Sequence, residues 1–350
     1  MSLLENHYPQ IAQISADFKT TPKLSLLICA NLRNLRFAFF LFLFYSLLAV
    51  AADIPLLRVE GEPAADPFSP SWLKQAPVAV PLYPQTSVPP AMKTGKSSVK
   101  VRAQRGATTL ALHLEWADRK PATERGIGAF ADAAAVQWPQ RPEAELPYIG
   151  MGHRGAPVSL WFWRADGTSE LLAAEGFGTL TKQPAGGMLA RGEWKNGAWR
   201  VVLSRAVAEP RESLPVAFAI WNGEGAERAG LKRLSAWQTL RFDGPAPPRD
   251  ATLPGKVARG KRLMSERGCA ACHSYPGNPA HLTIGPDLTY AGGLHAPAYL
   301  EASLREPSKI VVPCRACFVE QNGQRISIMP PFEGSDKDRA DLLSYLLSLR

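Results

Sequence analysis

Five consecutive residues, Cys269-Ala270-Ala271-Cys272-His273, carry the most pointed chemistry in the chain. The spacing CxxCH attaches haem covalently through two thioethers and supplies an imidazole to the iron. One helical turn brings both thiols to one edge of the macrocycle and the histidine to one face. A second pair, Cys314 and Cys317, repeats the spacing but is followed by Phe318 in place of histidine, so a second covalent haem is not expected. In an oxidising compartment a disulfide between these two is favoured. A redox-active dithiol, or a metal site with outside ligands, is the alternative.

The elements around these residues fall into two textures. Val257 to Arg267, Pro297 to Leu304 and Asp336 to Leu349 have helical periodicity, the last opening on Ser335 with Asp338 three residues on, in the manner of a capping box. Residues 255–350 therefore read as a small all-α domain around one motif. Upstream, period-2 runs predict strands at Ser98 to Arg102, Thr108 to Trp116, Pro157 to Trp163, Trp199 to Ser204, Pro215 to Trp221 and Gln238 to Phe242. Leu110, Leu112, Leu114 and Trp116 then share one face, and Ala111, His113 and Glu115 the other, with His113 toward solvent. Short strands separated by turn residues predict a β-sandwich or barrel, taken as a β-sandwich over residues 53–245. A Pro-rich linker follows at 246–254, inside the run Gly244 to Gly255.

The first 52 residues form an N-terminal extension and a signal peptide. Its apolar core, Phe37 to Ala52, follows Arg33 and Arg36 and ends on Ala49-Val50-Ala51, an A-x-A cleavage pattern. An uncleaved anchor over residues 37–52 is the alternative, although the run is short for a membrane span. The 350 residues carry a net charge of +9, with 46% hydrophobic and 20% charged residues, which excludes a mainly disordered chain. Cleavage after the leader removes Lys19, Lys23, Arg33 and Arg36 against Glu5 and Asp17, lowering +9 to +7, and leaves four of the five cysteines. Lys/Arg blocks interleaved with aromatics are absent from the sequence, so the positive balance suits an acidic redox partner and not a nucleic acid.

Residues 255–350 resemble a class I cytochrome c. GKRLMSERGCAACH (Gly260 to His273) is similar to the first helix and haem site of that family. IGPDL (Ile284 to Leu288) is similar to the loop whose proline and carbonyl support the proximal histidine, and SIMPPF (Ser327 to Phe332) to the distal-ligand loop. The resemblance implies His273 and Met329 as the two axial ligands of haem c, a pairing that raises the potential and leaves no open coordination position. A buried apolar role is the plainer alternative for Met329. Gly260 and Tyr345 resemble the residues at which the first and last helices of that family cross.

Most of residues 75–245 resemble the haem-binding gamma subunit of the ethylbenzene dehydrogenase group. The motifs are FADAAAVQWP (Phe130 to Pro139), MGHRGAPVSLWFWRADG (Met151 to Gly167), GEWKNGAWRVVLSR (Gly192 to Arg205) and VAFAIWNGEGAERAGLKRLSAW (Val216 to Trp237). The resemblance implies a non-covalent b-type haem between Met151 and Lys232, with His153 and Lys195 as rival ligands. A thioether is a soft ligand for iron, and an amine binds only when deprotonated, which a dry pocket favours. Trp161 and Trp163 share a strand face and are candidates to pack on the porphyrin, or are plain core.

Together these features imply an exported, periplasmic dihaem electron-transfer subunit, not itself an enzyme. It would relay electrons between the Fe-S subunit of a molybdopterin oxidoreductase and a soluble or membrane-bound redox carrier. The alternative is a free-standing periplasmic carrier or haem-based redox sensor without a catalytic partner.

Overall fold

The computed structural model describes residues 52–86, 92, 95–141, 145–207, 213–242, 253–280, 284–312 and 316–350. The expected signal segment up to residue 51, Cys314 and most of the expected linker lie outside these residues. Strands β1 (Asp53–Arg58), β2 (Val78–Pro84), β3 (Ser97–Arg105), β4 (Thr109–Ala117), β5 (Ala133–Pro139), β6 (Val158–Arg164) and β7 (Ser169–Ala174) come first. They are followed by β8 (Thr181–Gln183), β9 (Leu189–Lys195), β10 (Ala198–Ala206), β11 (Ser213–Trp221), β12 (Arg233–Leu234) and β13 (Gln238–Arg241). The main path runs β8-β7-β6-β5-β11-β12-β2-β3-β4-β10-β9, and β1 and β13 bridge across it. β1 pairs in parallel with β13 (Asp53 opposite Thr239) and with β3 (Leu56 opposite Ala103).

This path folds into a sandwich because strands from its two ends share one core. Leu112 and Leu114 of β4 and Val201 and Leu203 of β10 meet Val136 of β5 and Phe218 of β11 there, all nearly inaccessible. Alternation sorts the side chains: Leu110, Leu112, Leu114 and Trp116 enter this core as their spacing predicts. His113, expected toward solvent, is instead buried. A short 3-10 turn, Pro70–Lys74, folds over the outer face of β4 and sets Trp72 against His113 at 5.2 Å, while His113 Nε2 bonds to the Pro67 carbonyl at 3.0 Å. Burial pushes the imidazole pKa down to about 4, so it is a neutral core group.

Beyond the linker lie helices α1 (Val257–Glu266), α2 (Ala291–Leu294), α3 (Pro297–Arg305) and α4 (Asp336–Ser348). The Ser335 hydroxyl accepts from the Asp338 amide at 3.1 Å, capping α4 as its sequence predicts. α1 and α4 cross at Gly260, where an added Cβ would stand 2.0 Å from the Asp341 carbonyl oxygen and 2.8 Å from Tyr345 Cβ. The all-α expectation needs one amendment, a hairpin of β14 (Phe318–Gln321) and β15 (Gln324–Ser327). Its turn is Asn322-Gly323, both at positive φ (51° and 71°), the arrangement that a two-residue hairpin demands.

Candidate haem sites

The CxxCH turn is built by the end of α1. Gly268 takes a left-handed φ of 71°, the chain turns through the 3-10 segment Cys269–Ala271, and the His273 amide donates to the Cys269 carbonyl at 3.0 Å. Cys269 and Cys272 are free thiols, both half-buried. His273 Nδ1 bonds to the Pro286 carbonyl at 2.9 Å, which assigns the proton to Nδ1 and leaves the Nε2 lone pair for a metal. Burial holds this imidazole below its usual pKa and therefore neutral. A Cβ on Gly285 would lie 2.6 Å from His273 Cε1, so only glycine lets the Ile284 to Leu288 loop approach the ring.

Met329 packs half-buried against the same apolar cluster as Cys269, Leu288 and Leu263. Its loop is held at several points. The Met329 amide donates to Ser327 Oγ at 3.1 Å, the Ile328 amide to the Cys317 carbonyl at 2.9 Å and the Phe332 amide to the Leu304 carbonyl at 2.7 Å. Cys317 is disulfide-bonded, which accords with the expected disulfide as far as the described residues reach. Free thiols on one turn, an oriented neutral imidazole and a thioether in the same cluster are a donor set that fits a c-type haem.

The second site lies on the outward face of the sheet half formed by β5, β6 and β11. Ala135 stands opposite Ala219, and Ala133 opposite Trp221, in the antiparallel β5–β11 ladder. Ala133, Ala135, Ala217 and Ala219 therefore make a flat floor almost without side chains, and Phe162 and Trp221 border it. Over part of this floor is a small recess, partly open to solvent and walled by Ile149, Leu160, Leu234 and Lys232. Its lining is apolar except for Lys232, Gln137 and Ser235.

Lys232 is 5% exposed, and among the described residues its ammonium has no carboxylate partner. Nζ lies 5.1 Å from the centre of the Trp221 ring. Desolvation alone lowers the amine pKa to about 8, which brings the neutral, coordinating form within reach of ordinary pH. Met151 packs against the cluster that contains the recess walls Ile149, Leu160 and Leu234. It has a φ of 77°, costly for a side chain of its kind, and such strain is kept where the surroundings demand it. Gln137, on the floor, donates to the Ile149 carbonyl at 3.0 Å and so moors the Met151 turn to β5.

The rival ligands go elsewhere. His153 Nδ1 accepts from the Tyr148 amide at 3.1 Å, a bond within its own turn. Lys195 is exposed on β9, with its ammonium over Phe68. Trp161 and Trp163 belong to the sandwich core, on the opposite face of β6 from the recess, so of their two readings plain core is the one the packing supports. The residue that does face the recess side is Phe162, between them. The alanine floor went unpredicted because β5 is buried on both faces and shows no alternation. The signal that could have found it is the run Ala133-Ala134-Ala135 itself, with Ala219 opposite Ala135 and Ala217 opposite Gln137.

A β-sandwich with an apolar recess, followed by a helical unit bearing CxxCH, defines a haem protein of electron transport. Comparison with known proteins agrees. The ethylbenzene dehydrogenase family model matches residues 69–188 and the cytochrome c model residues 257–350. A protein described as a putative respiratory nitrate reductase heme subunit, from Haloferax mediterranei, is 37% identical over 211 residues, 56% of this chain and 75% of its own length. The chlorate reductase subunit gamma of Ideonella dechloratans is 34% identical over 54% of this chain and 84% of its own. The dimethylsulfide dehydrogenase subunit gamma of Rhodovulum sulfidophilum is 28% identical over 51% and 73%. The chain belongs to the family of haem-binding gamma subunits of the ethylbenzene dehydrogenase type, and its C-terminal part is a cytochrome c domain. Met151 lies within the matched residues 69–188 and Lys232 beyond them.

Proposed function

We propose that this chain is a dihaem electron-transfer subunit, exported to the periplasm by the segment ending at residue 52. Its b-type haem would be held in the sandwich and its c-type haem in the tail. It serves a molybdenum oxidoreductase, exchanging electrons with that enzyme's Fe-S subunit and with a soluble or membrane-bound carrier. Catalysis on substrate belongs to the partner that holds the molybdopterin. The names of the relatives, a heme subunit and two gamma subunits, support this assignment.

The observation that carries the two-haem reading is Lys232, a buried amine with no carboxylate partner among the described residues, beside an alanine floor. An isolated buried ammonium is costly, and the site relieves that cost by favouring the neutral amine, which can donate its lone pair to iron. When bound, haem supplies one-electron storage at each site. The protein's own part is to orient and exclude. Pro286 holds the His273 ring by its Nδ1 proton, Cys269 and Cys272 tether covalently, and Met329 and Met151 offer thioethers from strained or pinned loops. Phe162, Leu160 and Ile149 give the floor an apolar border. Alkaline pyridine spectra of the intact, fully matured chain test the assignment: one c and one b haem per chain are expected, and c haem alone would overturn it.

A further inference from the structure

The sandwich and the helical part meet in a close-packed seam. Leu294 and Val312 are buried in the cluster that holds the recess walls Ile149, Leu160 and Leu234. His295 stacks on Tyr148 with ring centres 5.6 Å apart and lies 4.7 Å from Tyr299. A Cβ on Gly293 would reach within 2.5 Å of the Tyr83 ring, so the backbone of α2 rests directly on β2.

Through this seam runs a polar contact with a particular position. Thr86, 8% exposed, donates from Oγ1 to the Asp287 carbonyl at 2.9 Å. On the sandwich side, the amide of the preceding residue, Gln85, donates to the Lys232 carbonyl at 3.0 Å. On the helical side, Asp287 follows Pro286, whose carbonyl accepts the His273 Nδ1 proton at 2.9 Å. Three hydrogen bonds and two short covalent runs thus join Lys232 to His273. We propose that Thr86 completes a through-bond route by which electrons cross within the chain between the Lys232 recess and the CxxCH turn. This inference rests on the two-haem reading above.

Electron tunnelling falls off more gently along covalent and hydrogen bonds than across unbridged contacts, so losing one link in a short route reduces coupling. With both haems bound, Lys232 and His273 would each hold an iron, and one electron would pass from the ferrous iron at Lys232 to the ferric iron at His273. No atom or proton moves, and each ligand set stays intact. Thr86 is a coupling residue that touches neither iron.

The experiment uses the full chain, with haem content per chain determined first. A light-generated flavin semiquinone reduces a fraction of the haem, and re-equilibration is followed in the separate b and c absorption bands. A phase whose rate is independent of protein concentration is expected. Thr86→Val should slow it several-fold and Thr86→Ser should restore it, with both midpoint potentials and both Soret spectra unchanged. A rate that scales with protein concentration, or an equal rate in Thr86→Val, overturns the route. Should Thr86→Val fail to fold, the concentration dependence of the unaltered chain and the rate in Thr86→Ser still decide. A chain carrying only c haem sinks the proposed function and the route with it, whereas two haems with no Thr86 effect sink the route alone.

Discussion

Lys232 and Met329 show how much a single side chain can decide. The Lys232 amine has its pKa lowered from 10.5 to about 8, so without haem the unfolded chain binds more protons than the folded one between those values. In haem-free protein this residue therefore makes stability rise as pH climbs from about 8 to 10.5, and Lys232→Met should flatten that slope in denaturant titrations. With haem bound the proton competes with iron for the same lone pair. Acidification should then change the spin state of the b haem, while Lys232→Ala abolishes the transition and loosens b haem but not the thioether-linked c haem. Lys195→Ala, altering an exposed residue of β9, should do neither. For the other centre, Met329→Ala should keep haem bound through Cys269 and Cys272, lower its potential and open a coordination site, as a redox titration and ligand-binding spectra would report.

At the scale of elements, the floor of β5 and β11 and the crossing of α1 with α4 make opposite demands on small residues. Ala135→Leu should fill the recess and exclude b haem while the sandwich still folds, so the b signal in the pyridine spectrum disappears and the c signal stays. Gly260→Ala forces a methyl against the Asp341 carbonyl and should destabilise the helical part by about 1–3 kcal/mol, seen as an earlier loss of the c-haem Soret band on denaturation. Sequence made the second of these legible and not the first. Gly260, Tyr345, the Ser335 cap and the loop around Pro286 are local signatures, each within a few residues of a recognisable motif. The alanine floor exists only once β5 and β11 pair across some eighty residues of chain. The burial of His113 likewise depends on Trp72 arriving from a separate segment, which the alternation within β4 cannot announce. Thr86 carries no signal of its own, because its importance comes from which carbonyl it reaches.

Across the whole molecule, the sandwich and the cytochrome part are bound by a shared apolar cluster, the Tyr148, His295 and Tyr299 rings and the Lys309–Glu145 ion pair at 2.9 Å. They should therefore lose structure together. Tryptophan fluorescence, which reports the sandwich, and the c-haem Soret band, which reports the tail, should show coincident thermal transitions, and two separated transitions would mean that the seam is weak. The strand β1 carries a different implication, one of timing. Its first residue, Asp53, finds its partner Thr239 in β13, and Ala52 bonds to the side chain of Gln238, a separation of 186 residues. Such distant pairing is slow to form, and Asp53, Ile54 and Pro55 meet β13 only when almost the whole sandwich has been made, whereas Leu56, Leu57 and Arg58 have their partners nearer by in β3. The first half of the opening strand is thus among the last parts of the fold to find its place, and a nascent chain stopped short of residue 238 would leave Asp53, Ile54 and Pro55 without their β13 partners.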